Sequence, residues 1–366
     1  MKTRRLDKFF LSTVIILTAV GIIMFTSASL GILNKNSDKF YGVIFNQLVF
    51  GLLGGSIVMY FAYRIPYKFW RKYSLLIFVL SIGVTCLVFL PGIGFSHGGA
   101  RRWINIFGIS IQPVEFLKVA FVIYFAAWLS WVKSKVTDMK FSLLPLVILL
   151  GIIAFILLKQ PDTKSVILIA VTAMVMLFIS GMPWKYIFGI LIVSVVGFGI
   201  LVTTTPYLKS RVDTFLNPSQ NQSGASYQLQ QSLIAIGSGG LLGRGLGQGI
   251  QKFSYLPEPQ GDSIFAVVGE ETGFVGSVAL ILLFIIFAFR GFKIGYFAPD
   301  SFSKLLVIGI ITMTLTQAFM NIASIIGVFP LTGVPLPFIS HGGTSLLITL
   351  GTMGIILNIS QFHKKS

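Results

Sequence analysis

The chain has 366 residues, 55% of them hydrophobic and only 11% charged, with a mean hydropathy of +0.88. A soluble domain carries about 25% charged residues, so this composition excludes an ordinary soluble enzyme and indicates an all-α integral membrane protein. The net charge of +17 would suit a nucleic-acid binder, but Lys and Arg concentrate in alternate inter-span segments, as the positive-inside rule describes, and no nucleic acid is expected as a partner.

Ten apolar stretches are expected to cross the membrane, each long enough to span about 30 Å of hydrocarbon as a helix. They lie at 9–33, 42–63, 73–91, 113–132, 142–158, 165–182, 184–204, 263–290, 304–327 and 343–362. The first is too long for a signal-peptide core and reads as a retained span. No linker or repeat divides the chain, so 1–366 is one polytopic domain. With both termini cytoplasmic the basic bias is satisfied. Acids then show the opposite bias: Asp38, Asp162, Asp213, Glu258 and Asp262 fall outside, with Glu115, Glu270 and Glu271 in the outer parts of spans. Any chemistry is expected on the outer face. The single cysteine, Cys86, offers neither an intrachain disulfide nor a cysteine metal site.

The outer segment 92–112 contains Gly98-Gly99-Ala100-Arg101-Arg102-Trp103. Adjacent arginines suit a phosphate or pyrophosphate clamp, and an Arg/Trp pair equally suits a lipid-headgroup belt. Gln112-Pro113-Val114-Glu115-Phe116-Leu117-Lys118 follows. Pro113 fits the first helical position, and Glu115 and Lys118, three apart, are placed to pair, as site or as structural glue. In the turn Gln160-Pro161-Asp162-Thr163-Lys164, Asp162 would bind a cation or cap the next helix, the cap being the stronger local reading.

The longest outer segment, 205–262, lies between the seventh and eighth spans. Its amphipathic run Tyr227-Gln228-Leu229-Gln230-Gln231-Ser232-Leu233-Ile234 predicts short helices on the outer surface. The glycine run Gly237 to Gly249 lacks the Gly-Lys-Ser/Thr ending of a P-loop, though its N–H groups would suit an anion. Tyr255-Leu256-Pro257-Glu258-Pro259-Gln260-Gly261-Asp262 then ends in a carboxylate at the lip of a span, where an N-cap role also fits. An ionisable group at bilayer depth is costly and usually lines a site. Glu270 and Glu271 lie deeper on the same helix; one is expected to shape the cavity and the other to pair or stay protonated. The last outer segment, Phe329 to Ser345, is rich in proline and glycine and predicts a non-helical, re-entrant wall. His341 has no second metal-type ligand nearby in sequence and reads as a hydrogen-bonding wall residue; His97 and His363 say less.

Five stretches, Gly99 to Trp103, Gln112 to Lys118, Tyr227 to Gly247, Tyr255 to Gly273 and Pro330 to Ser345, resemble in order and spacing the SEDS family (shape, elongation, division and sporulation). Members of that family are peptidoglycan glycosyltransferases that polymerise lipid II at the outer face of the cytoplasmic membrane. The resemblance implies the ten-span plan and a catalytic Asp262, which closes the family's Pro-Glu-x-x-x-Asp run. It extends site interest to Arg101, Arg102, Glu115 and Lys118, and substrate contacts are also expected at Glu258, Gln260, Ser340 and His341. Arg101, Arg102, Lys118 or a divalent cation, Mg²⁺ or Mn²⁺, would balance the departing pyrophosphate. The implied partners are lipid II, an undecaprenyl-type carrier, a class B penicillin-binding protein transpeptidase and other divisome or elongasome proteins. Asn217-Pro218 to Tyr227-Gln228 and the glycine run lean toward the division type. The chain departs from the family where Gln260-Gly261-Asp262-Ser263 replaces the common His-Thr-Asp-Phe. It departs again where His341 replaces tyrosine and where Lys164-Ser165 replaces Gly-Thr. A flippase for a lipid-linked precursor and a non-catalytic scaffold are the competing readings.

Overall fold

Backbone amides in hydrocarbon find no water, so apolar runs satisfy themselves as helices. The computed structural model describes residues 6–33, 37–97, 100–106, 109–216 and 224–362. Gly98-Gly99, Asn217-Pro218 and His363, singled out above, lie outside them.

In chain order the elements begin with α1 (Lys8–Leu33) and α2 (Ser37–Phe45), the latter continuing through a π-helical stretch (Asn46–Gly54) into α3 (Gly55–Arg64). After α4 (Tyr67–Lys72) and α5 (Ser74–Cys86) come β1 (Gly94–His97), β2 (Ala100–Ile106) and β3 (Ile109–Ile111). Then follow α6 (Pro113–Val132), α7 (Leu143–Lys159), α8 (Thr163–Ile179), α9 (Trp184–Thr204) and α10 (Pro206–Leu216). The chain closes with α11 (Ala225–Gly239), α12 (Gln251–Ser254), α13 (Ile264–Tyr296), α14 (Ser301–Ile325) and α15 (Gly343–Ser360). Among the described residues, seven helical stretches are long and apolar enough to cross a membrane. Three shorter apolar helices, Ser74–Phe89, Leu143–Lys159 and Thr163–Ile179, fall where the other expected spans lie. The outer segment 92–112 departs from the all-α expectation and forms an antiparallel sheet in the order β1-β2-β3.

The core lies around α14, which packs against α13, α6 and α8, while α15 packs on α3. Phe121, Phe125, Phe284, Phe287 and Phe302 are fully buried there. α1 runs along α13, with Phe10 stacked on Phe287 at 5.4 Å and Arg290 paired with Asp7 at 2.9 Å. At the start of α14, Asp300 and Ser303 form a capping box, and Asp300 also accepts from the Tyr67 hydroxyl at 2.8 Å. By contrast, α9 buries none of its residues.

One span is broken. Gly273 in α13 has φ 66° and ψ −164°, a conformation open to glycine and costly to residues with a Cβ. A break at this depth must satisfy the backbone groups it frees, and the glycine run does so. Phe274 and Val275 N–H donate to the Gly240 and Leu241 carbonyls, at 2.9 and 3.1 Å. In return Arg244 and Gly245 N–H donate to the Glu270 and Glu271 carbonyls, both at 3.0 Å. The two carboxylates continue the pattern. Glu270 accepts from Ile250 N–H at 2.7 Å, and Glu271 accepts from Gly247 N–H at 3.0 Å while pairing with buried Lys252 and the Ser27 hydroxyl. The anion held by the glycine run is therefore the protein's own. Glu270 and Glu271 are fully buried; Glu271 pairs, as one of the two was expected to, while Glu270 binds backbone N–H groups where a cavity wall was expected, and both pin this segment to α13.

Candidate active site

Asp262 ends a tight turn. The Glu258 carbonyl accepts from Gly261 N–H at 2.9 Å and from Ser263 N–H at 3.3 Å, which folds the chain back before α13 begins. Glu258 and Phe338, on either side of the site, hold left-handed backbone with φ of 46° and 66°. Such residues cost of order 1–3 kcal/mol and persist where surroundings over-determine them.

The surroundings here are a polar lattice. Asn321 Nδ2, from α14, donates to the Asp262 carbonyl at 2.8 Å and to the Val334 carbonyl at 2.7 Å. Ser340 Oγ donates to the Gly261 carbonyl at 2.8 Å and accepts from Leu336 N–H at 2.8 Å. His341 N–H donates to the Gln260 carbonyl at 2.7 Å. Gln47, in the π-helical stretch, donates to the Ser340 carbonyl at 3.2 Å and accepts from Gly342 N–H at 2.9 Å. Turn and wall are thus one unit, and the wall is non-helical from Val334 to the start of α15, as the sequence predicts.

The main chain of Asp262 is held; its side chain is not. Among the described residues no hydrogen bond or ion pair engages this half-buried carboxylate. A Cβ at Gly333 would lie 2.9 Å from Asp262 Oδ2 and 3.8 Å from Arg211 Nη2, so acid and guanidinium face the same glycine without forming a salt bridge. Lys164 Nζ donates to the Gly333 carbonyl, and Arg211 Nη1 donates to the Leu331 carbonyl. Across from them, Arg102 donates to the carbonyls of Gln160, at 2.9 Å, and Pro161. The three cations border a pocket of about 110 Å³ that also reaches Phe198, Tyr207 and Thr332. A larger pocket, about 470 Å³ and lined by Arg64, Lys68 and Asn358, lies at the opposite end of the bundle. It is lined by no acid, and the neighbouring Asp300 is taken up by Ser303 and Tyr67.

The remaining sequence-predicted residues are distributed around this centre. Arg101 is exposed, on the strand face opposite Arg102, because side chains alternate along a strand. Glu115 and Lys118 pair at 2.8 Å, and Lys118 also donates to Gln317 at 3.1 Å. Both charges are buried in a separate crevice beside Pro337. Glu258 is exposed, with Gln260 Nε2 3.4 Å away. His341 stacks on Phe25 at 5.8 Å, and burial, with Lys39 adding, pushes its pKa down to about 4. Asp162 is fully buried and accepts from Ser165 Oγ at 2.7 Å; it stands at the N-cap position of α8 but makes no bond to the helix N–H groups, so the expected cap is not formed. Lys159 turns away over the Phe155 ring at 4.5 Å.

Buried polar atoms are ordinarily paired, yet Asp162 Oδ1, Gln260 Oε1, Asn321 Oδ1, Thr332 Oγ1 and His341 Nε2 are not. All five belong to segments that surround Asp262. Among the described residues no three His, Cys, Asp or Glu side chains gather as a metal-binding group, and no step below passes through a divalent cation. Sequence reasoning missed Arg211, Asn321 and Gln47. The last two interrupt apolar spans with an amide, a signal of function or interhelical bonding in its own right.

The profile of the FtsW, RodA and SpoVE family, described as "Cell cycle protein", matches residues 7–365. The chain belongs to this family. Among its relatives, Stage V sporulation protein E of Bacillus subtilis strain 168 is 36% identical over 98% of both chains. A probable peptidoglycan glycosyltransferase FtsW of Trichlorobacter lovleyi is 38% identical, over 97% of this chain and 93% of that one. The SEDS fold is matched as well. A chain from a peptidoglycan synthase complex, solved for the coordination of polymerization and crosslinking, superposes with TM-score 0.79 at 24% identity over 98% of both chains. Rod shape determining protein RodA of Thermus thermophilus gives 0.71 at 23% identity over 99% of both. This SEDS protein is thus a multi-pass membrane protein with a RodA-like helical fold.

Proposed function

We propose that this chain polymerises lipid II into glycan strands at the outer face of the cytoplasmic membrane, with Asp262 as general base. Relatives named as probable peptidoglycan glycosyltransferases support the reaction class. The observation that carries the base assignment is the contrast at Asp262. Its carbonyl is fixed by Asn321 at 2.8 Å, while its carboxylate is left without an internal partner beside a cationic pocket. A carboxylate that is positioned but uncommitted is what proton abstraction requires.

In this reading the seven long and three shorter apolar helices make ten spans with cytoplasmic termini, which places 205–262 and the turn outside. Asp262 takes the proton of the acceptor sugar hydroxyl as that oxygen bonds to the donor's anomeric carbon. The bond from that carbon to the phosphate oxygen breaks, and the polyprenyl diphosphate leaves with the electron pair. A single base opposite the leaving group inverts the centre, so an α-linked donor gives a β-linked strand. A diphosphate leaves readily, and no strong general acid is required. A class B penicillin-binding protein is the expected cross-linking partner.

The test is purified protein, with and without that partner, supplied with lipid II and assayed for glycan chain length. Wild type gives polymer, and a folded Asp262→Asn variant is slower by roughly 100-fold or more, the range general-base catalysis supplies. Polymer from that variant at the normal rate overturns the base assignment. Lipid scrambling by wild type without polymer points to a flippase instead.

A further inference from the structure

General-base chemistry accounts for the proton but leaves the charge of the departing diphosphate to be met. Lys118 is engaged by Glu115 and Gln317, and Arg101 is exposed on the far face of its strand. The cations beside Asp262 are others. Lys164 comes from α8 and Arg211 from α10, and both reach the same stretch of wall, at Gly333 and Leu331. Each commits one donor to a carbonyl, out of three on an ammonium and five on a guanidinium. Neither has a carboxylate within salt-bridge distance among the described residues. Taking a full charge partly out of water for one neutral carbonyl is poorly compensated, whereas an anion would repay it.

The pocket has the shape of chemistry that such an anion would bring. Arg102 stands across from the pair, and Thr332 Oγ1, buried and without a partner, borders the same space. The Tyr207 ring, 4.7 Å from the Arg211 guanidinium, fixes its direction. Ile167, Phe198, Leu208 and Phe329 make the rest of the lining apolar. Three cations and an otherwise mostly apolar lining in one pocket match a diphosphate ester of a long apolar alcohol. We infer that Lys164 and Arg211, with Arg102, form a diphosphate subsite that holds the leaving group of the donor. The assignment rests on the glycosyl-transfer reading and names the part of the site that binds the departing anion. Gly333 then separates base from clamp, with charge stabilisation preorganised where negative charge develops. Lys164 is also a residue at which this chain departs from its family's common glycine, so the third cation would be a feature of this chain.

The test separates binding from turnover. Farnesyl diphosphate and farnesol serve as probes, titrated against the full chain in neutral detergent at low salt. Lys164→Gln and Arg211→Gln keep a donor for the wall carbonyls while removing the charge, and their thermal midpoints report folding. The expected result is tight farnesyl diphosphate binding that each variant weakens by roughly tenfold or more, with farnesol binding unchanged and Asp262→Asn, which removes a negative charge beside the clamp, binding the diphosphate at least as tightly as wild type. Folded variants that bind the diphosphate like wild type overturn the subsite. Full displacement by equimolar short-chain phosphatidylglycerol also overturns it, because the pocket would then be a general headgroup site. Polymer from wild type with unchanged variant binding sinks the subsite alone. Diphosphate binding as expected without polymer sinks the polymerase reading and leaves the subsite standing.

Discussion

His341 shows what one buried side chain adds to the site. Its ring lies on Phe25 and ties the wall to α1, while the bond to the Gln260 carbonyl at 2.7 Å comes from the backbone N–H and does not depend on the imidazole. Burial pushes its pKa down to about 4, with the Lys39 charge acting in the same direction. Unfolded, the imidazole takes a proton near pH 6.5; folded, it does so only near 4. Between those values the unfolded chain binds the extra proton, so stability is complete above about pH 6.5 and declines as pH falls toward 4. The slope from this group is at most about 1.4 kcal/mol per pH unit. From pH 7.5 to 5 the thermal midpoint of wild type should fall relative to that of His341→Phe, since the variant lacks this term. Parallel curves would show that the imidazole is not the group responsible.

At the scale of elements, the break in α13 explains the composition of the glycine run. The carbonyls of Glu270 and Glu271 would ordinarily receive Phe274 and Val275 N–H; here both sets of groups turn to residues 240–245. A Cβ at Gly273 would collide with the Gly243 nitrogen and the Leu241 carbonyl. Gly273→Ala should therefore destabilise the protein by roughly 3 kcal/mol or more, from left-handed backbone and lost hydrogen bonds. Gly197→Ala, in α9 with open space around it, should leave the thermal midpoint unchanged or raised. Equal midpoints for the two variants would refute the role of the break. Little of this was legible beforehand. The run could be seen to lack a P-loop ending, and Glu270 and Glu271 could be seen as buried acids, but their mutual engagement needs a glycine conformation that composition does not reveal. The Asp262 turn was legible because Tyr255 to Asp262 and Pro330 to Ser345 carry family-specific order. Arg211 was not, since it lies in a long outer segment and the sequence does not say which part of the wall α10 approaches. In the sequence Arg101 and Arg102 read alike, as clamp or headgroup belt, and only the strand alternation of β2 divides them.

At the scale of the whole molecule, the spans differ widely in how much of themselves they bury. Apolar content does not distinguish them: α9 has a hydropathy of 2.5 and α14 of 1.8, yet α14 is largely enclosed and α9 buries nothing. Sequence hydropathy locates spans because lipid and protein interior are equally apolar; for the same reason it cannot say which of the two a span faces. What sets α14 apart is its interior amides, Gln317 and Asn321, which bond the Pro335, Val334 and Asp262 carbonyls. Those bonds need a protein partner on each side, so the helix that carries them must lie inside the bundle and directly behind the site. Stability should follow enclosure. Phe302→Ala, at a side chain with 0% exposure, opens a cavity in packed protein and should cost roughly 3–5 kcal/mol. Phe188→Ala, at 56% exposure, exchanges a lipid-facing ring for lipid and should shift the thermal midpoint in detergent negligibly. If the α9 substitution proved as costly as the α14 one, α9 would have to be part of the packed bundle and the arrangement described for it would be wrong.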